Sequence, residues 1–355
     1  MSEYKVSNAY VLKSVPKSDD APYGVIPADT IDTNRPTIIA LSGELTDNPR
    51  FANHYIKQLK QVLANGGVDN ATIYSVYYDF GSRDTTSERV QLFQRACHRI
   101  RNMSQDINTI NAKIKMMDEN EPSPKYIERL YNILLAPILA TDDSGMRPDI
   151  NTVAQRASYI RFYAHSHGAA VATMLGKIMA QKMSKMGYKI SEIRDAQKNI
   201  IVIQHGPITP LERPNFTTLS FASASDTKAN LHNRLYEYAF DNSFDLYPSY
   251  FGRAGAHVFT AGTLSTSLTK EHDNDGLLNN DILTEDGRII FATQRNAIIN
   301  SIQYAGQPVP PIRELVSGEG VDFDEMATNG AWFCKLMMSE IKNQIPQIPA
   351  HDYQI

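Results

Sequence analysis

Residues 159–170 read Tyr159-Ile160-Arg161-Phe162-Tyr163-Ala164-His165-Ser166-His167-Gly168-Ala169-Ala170, and the organisation of the chain follows from them. The short, mostly apolar run Tyr159 to Ala164 has the pattern of a buried strand. It passes without a loop into a helical pattern from His167 to about Met186. A serine pinned at such a junction is forced into a strained conformation, with its hydroxyl exposed at the strand's C-terminal end. The reversal crowds the neighbouring backbone, so small residues are needed two before and two after the serine; Ala164 and Gly168 stand there. The helix start offers free amides and a positive dipole end to a developing oxyanion, which makes the His167 amide the natural first donor. The competing reading is a helix N-terminus that Ser166 merely caps, which needs no small residues at those positions.

Upstream, Thr37-Ile38-Ile39-Ala40-Leu41 ends at Ser42-Gly43 as a fully buried parallel strand would. A helix with apolar positions Phe51, Tyr55, Leu59 and Leu63 stops at Gly66-Gly67, and a second strand covers Ala71 to Tyr78. Helical spacing continues through Val90, Leu92, Phe93, Cys97 and Ile100 and fades towards Met117; another helix covers Tyr126 to Ala136 and ends at Pro137. Downstream strands are expected at Asn199–Gln204, Thr217–Ser223 and Ala256–Ala261, then a hairpin on Asp286-Gly287 and a C-terminal helix from about Asp322 to Ile345. Strands alternating with helices imply an α/β fold, a mainly parallel sheet with helices on both faces and with helical insertions. The chain is expected to form a single domain over residues 1–355. Residues 1–36, with Pro16, Pro22, Pro27 and Pro36, are read as an arm holding at most one edge strand.

Composition excludes several function classes. The 355 residues are 42% hydrophobic and 21% charged, enough to bury a core, and the formal charge of −4 argues against nucleic-acid binding. Cys97 and Cys334 make neither a disulfide scaffold nor a zinc pair. The first twenty or so residues lack the apolar core of a signal peptide, and the longest apolar stretch, Ile133 to Ala140, is too short for a transmembrane segment. The expectation is a cytoplasmic protein, or one exported without a cleavable signal peptide.

The stretch Ala164 to Gly168 resembles the nucleophile elbow of the α/β-hydrolase superfamily, normally G-x-S-x-G. His165 before the serine is similar to the lipase and esterase form, and Ala164 is similar to a variant of the first glycine in some small bacterial lipases. Ala169 departs from the glycine that often follows. The resemblance implies a triad in the order serine, acid, histidine, with Ser166 as nucleophile. The base is assigned to His272, which follows the last expected strand after the loop Gly262 to Glu271, with His351 as the alternative. His205 ends a strand too early in that order and is read as structural; His232 lies in a helical stretch and His257 inside a strand. For the acid, Asp226 follows the strand at Thr217, with Glu212 and Asp275 as alternatives; any single Asp is otherwise a turn former. The second oxyanion donor is placed in Gly43-Glu44-Leu45, at the amide of Glu44 or Leu45, although the His-Gly pair familiar in the family is missing.

No cofactor or metal is expected. Glu271 to Gly276 has the acidic spacing that opens a calcium loop, but Ile282 stands where a bidentate Glu is required. Residues 104–135, with Met116 and Met117, form an insertion that is either a cap or a helical hairpin packed by its methionines. The aromatic cluster from Tyr236 to Phe251 either lines an acyl pocket or packs on the sheet. Together these imply a lipase- or esterase-like serine hydrolase acting on a small-molecule or lipid ester. A thioesterase or amidase, and a catalytically silent binding protein of the same fold, are the competing classes.

Overall fold

Strands buried on both faces explain why the centre of this chain reads as unbroken apolar runs. The computed structural model describes residues 6–43, 46–79, 123–141, 145–205, 215–221 and 285–321. Its strands are β1 (Asn8–Ser14), β2 (Val25–Pro27), β3 (Thr37–Leu41), β4 (Thr72–Asp79), β5 (Ile160–His165), β6 (Ile201–His205) and β7 (Thr217–Phe221). They form one seven-stranded sheet in the order β2-β1-β4-β3-β5-β6-β7. From β4 to β7 all neighbours are parallel, and every residue of β3, β5 and β6 is buried. Across the middle of the sheet Phe162 pairs with Ile39 on one side and Val202 on the other. β3 has the limits expected from sequence, and β4, β5 and β6 differ from expectation by one or two residues.

Alternation along the strands divides the core. Ile39, Leu41, Phe162, Ala164 and Val202 belong to one apolar cluster, with α2 (Lys125–Leu134), α3 (Ile150–Ala157), α4 (His167–Lys185) and α5 (Ile190–Lys198). Ile38, Ala40, Tyr163, Ile201 and Ile203 belong to another, with α1 (Pro49–Asn65), α6 (Glu285–Gln303) and the short α7 (Ile312–Val316). The class is therefore α/β, with a mostly parallel sheet covered by helices on both faces. Among the described residues no helix is long and apolar enough to cross a membrane.

Four sequence expectations are corrected. The N-terminal segment supplies two strands, and β1 lies inside the sheet, antiparallel to both β2 and β4. Its prolines had hidden it, yet Pro16, Pro22 and Pro36 fall outside both strands and Pro27 ends the edge strand β2, where no ladder amide is lost. The hairpin on Asp286-Gly287 is instead the first turn of α6. A glycine so near a helix end costs little, and an acidic residue suits the positive end of the dipole. In α1 the buried face is Ala52, Ile56, Leu59, Val62 and Leu63, whereas Phe51 is exposed. The end of the expected insertion, α2, is a core element: Ile127, Leu130 and Leu134 are fully buried, and a short 3-10 turn at Ala136–Leu139 takes in Pro137. The helical section before it, the strand at Ala256, the aromatic cluster and the C-terminal helix lie outside the described residues.

The topology marks one place for a site. From β3 the chain crosses to β4 on one side, and from β5 it proceeds to β6 and β7 on the other. Between β3 and β5, which pair directly, the connections diverge. Ligands in open α/β sheets bind outside the carboxyl ends of the strands at such a switch point. The carboxyl ends here are Leu41-Ser42-Gly43 and His165-Ser166.

Candidate active site

β5 ends at His165 and α4 begins at His167, so one residue makes the entire turn. That residue, Ser166, has φ 53° and ψ −115°, and it is the one non-glycine with positive φ among the described residues. The pair of angles falls outside even the small left-handed region that side chains tolerate. Ordinary helix caps in the same chain look different. Asn48 before α1 and Asp149 before α3 are extended and accept amide hydrogens with their side chains, whereas Ser166 makes no side-chain cap bond to α4. The capping alternative is thus not what the backbone does.

The surroundings hold the turn in this state. The Ser166 amide donates to the His205 carbonyl at 3.0 Å, and the Ser166 carbonyl accepts from Ala169 at 3.1 Å. A Cβ on Gly168 would stand 1.9 Å from the Leu41 carbonyl oxygen, so α4 crosses β3 too closely for any side chain there. Ala164, paired with Leu41, is fully buried. The requirement for small residues two before and two after the serine has therefore a direct cause. Gly168→Ala should cost about 1–3 kcal/mol of stability, since the obstacle is backbone and not a side chain that can swing aside. Urea unfolding measures this, and a loss under about 0.5 kcal/mol would mean that the crossing is looser than described.

The expectation of an exposed hydroxyl needs qualification, because Ser166 is only 5% exposed. The two histidines beside it turn to opposite faces of the sheet: alternation alone would keep residues i and i+2 on one face, and the one-residue turn at Ser166 sends His167 to the other. On the α1 face, His165 Nδ1 lies 2.9 Å from the Tyr55 hydroxyl, and its ring stacks on His205 with centroids 5.8 Å apart. A Cβ on Gly43 would meet His165 Nδ1 at 2.9 Å and Ser166 Cβ at 3.5 Å, which places Gly43 directly against the turn at Ser166. On the α2 face, His167 Nε2 is 3.3 Å from the Tyr126 hydroxyl and its ring packs edge-on to Tyr78 at 5.1 Å.

Of the residues expected from sequence, Ser166, His167 and Gly43 come together at this switch point. Glu44, Glu212, Asp226, His272, Asp275 and His351 lie outside the described residues, as does Leu45. His205 was read as structural, and its carbonyl does hold the elbow while its ring lies against His165. Tyr55, Tyr78 and Tyr126 carried no sequence signal as site residues; Tyr55 was legible only as an apolar position of α1. No group of histidine, cysteine and carboxylate side chains suited to a metal occurs among the described residues. No protein-family model matches the chain, and no curated protein matches its sequence.

Proposed function

We propose that this protein is a serine hydrolase of the α/β-hydrolase type that cleaves carboxylic esters, lipase- or esterase-like, through an acyl-enzyme. The observation that carries the proposal is the backbone of Ser166. A conformation costing about 1–3 kcal/mol persists only where the surroundings impose it, and such residues concentrate at functional sites. A strained serine between a buried parallel strand and a helix, at a topological switch point, is the arrangement that an elbow nucleophile requires.

In this reading Ser166 Oγ attacks the ester carbonyl. His272 takes the proton as general base and returns it to the leaving alcohol, and Asp226 keeps the imidazole in the productive tautomer. His351, and Asp275 or Glu212, are the alternatives for these two roles. The oxyanion is met by the His167 amide at the start of α4 and by a second amide, assigned to Glu44, in the loop that Gly43 opens. Water then releases the acyl group from Ser166, and no cofactor takes part. The Ser166 amide is already given to His205, so the first donor must be the next residue, as the elbow geometry requires.

Labelling of the intact protein with a fluorophosphonate probe, followed by peptide mapping, tests nucleophile and competence together. Modification at Ser166 is expected, with turnover of p-nitrophenyl esters exceeding that of acyl-thioesters and anilides. A folded protein that takes no label would favour the binding-protein reading, which the burial of Ser166 supports. Faster thioester or anilide turnover would reassign the substrate class.

A further inference from the structure

The residue before the serine lies between a side chain of α1 and Gly43. Tyr55, in the second turn of α1, places its hydroxyl 2.9 Å from His165 Nδ1. Burial pushes the Tyr55 phenol up to about 12, so it keeps its proton at neutral pH. One hydrogen lies between the phenol oxygen and His165 Nδ1, whichever of the two carries it. The loop is tied down further along as well: the Thr46 amide donates to the Gly43 carbonyl at 3.0 Å, and the Thr46 carbonyl accepts from the Tyr78 amide at 2.9 Å. Gly43 is needed at this spot, because any Cβ would strike the ring that Tyr55 holds.

We infer that Tyr55 is a positioning residue: its hydroxyl holds the His165 ring against Gly43, fixing the distance between the end of β3 and Ser166. The inference rests on the hydrolase reading and adds to it the device that sets the spacing between nucleophile and oxyanion loop. The phenol touches no reacting atom in this role. Its contribution is alignment, and alignment errors of about 1 Å are worth up to about 100-fold in rate.

Tyr55→Phe removes one hydroxyl and keeps the ring. In the full-length protein it should lower kcat for a p-nitrophenyl ester by about 10- to 100-fold, with KM within about threefold, and slow fluorophosphonate labelling of Ser166 to a similar degree. His165→Phe, which keeps a ring beside Gly43 and removes the nitrogen that Tyr55 meets, should move kcat the same way, and carries the test if Tyr55→Phe does not fold. Tyr74→Phe is the control, since it deletes a phenol that meets the Asp32 amide, away from the elbow, and should leave labelling unchanged. Wild-type labelling at Ser166 with Tyr55→Phe labelled equally fast overturns this inference and leaves the hydrolase reading intact. Equal slowing by Tyr74→Phe also overturns it, because the effect would then be general loosening. No label on wild type removes both.

Discussion

Ser166→Ala should lower ester turnover by about 10⁴-fold or more and abolish fluorophosphonate labelling, while Ser166→Gly should do the same and melt at or above the wild-type temperature. The first effect follows from the proposed mechanism, in which Ser166 Oγ forms the acyl-enzyme; on that proposal what remains is binding and the oxyanion donors, and about 10⁴-fold corresponds to roughly 5.5 kcal/mol of barrier. The second follows from the backbone. At φ 53° and ψ −115° a side chain costs about 1–3 kcal/mol, and glycine relieves most of it. Glycine gives back about 0.5–1 kcal/mol through the freedom of the unfolded chain, so the net change lies between nothing and about 2 kcal/mol of added stability. Alanine keeps the strain and loses only a hydroxyl that does not cap α4, so its melting point should stay close to wild type. A capping serine behaves in the opposite way, losing about 0.5–2 kcal/mol on replacement by alanine. Kinetics and thermal melts on the two variants separate the cases. Activity retained in either would end the assignment of Ser166 as nucleophile.

At the other end of the same strand, Arg161→Leu should cost about 3–5 kcal/mol of stability. Arg161 is fully buried, and among the described residues its guanidinium donates to backbone carbonyls. Nε donates to Ser301 at 2.6 Å, Nη1 to Ile160 at 2.9 Å and Asn199 at 3.1 Å, and Nη2 to Tyr304 at 3.3 Å. Asn199 closes α5, Ser301 lies in the last turn of α6, and Tyr304 follows it. These are ends where helix carbonyls have no partner within their own helix and where the dipole favours a cation. Burial pulls the guanidinium pKa down to about 9, which still leaves it charged at neutral pH, and the four carbonyls are the groups that meet that charge. Leucine fills part of the space and leaves all four without their donor, each at about 1–3 kcal/mol less whatever relaxation supplies. Arg161→Lys should fall between, since one ammonium cannot reproduce the planar fork. Guanidinium chloride unfolding gives the measurement. Because Arg161 and Ser166 sit about 16 Å apart along β5, labelling below the melting temperature should persist in both variants. A loss under about 1 kcal/mol for leucine would show that the helix ends are satisfied in some other way.

The fold and the candidate site were legible to different depths. Strands β3, β5 and β6 announced themselves because a strand covered on both faces has no polar side and reads as an apolar run. The elbow was legible because its constraint is local: one residue turns strand into helix, and the residues two before and two after must be small. Elements whose identity depends on what lies beside them were misread. β1 looked like an arm because its flanking prolines dominate the composition, and the start of α6 looked like a hairpin because Asp-Gly is a turn signal wherever no helix overrides it. Arg161 in a strand gave no sign that its partners are carbonyls some 40 and 140 residues further on.

By itself, then, the amino-acid order determined the alternation of strands and helices and the serine at the bend after β5, since both follow from spacing over a few residues. Only the tertiary structure decided that Gly43 abuts this serine, that Tyr55 reaches His165, and that the His205 carbonyl holds the Ser166 amide. The physical reason is that parallel pairing joins segments far apart in the chain, and no local pattern of side chains records which residue will face which across the ladder.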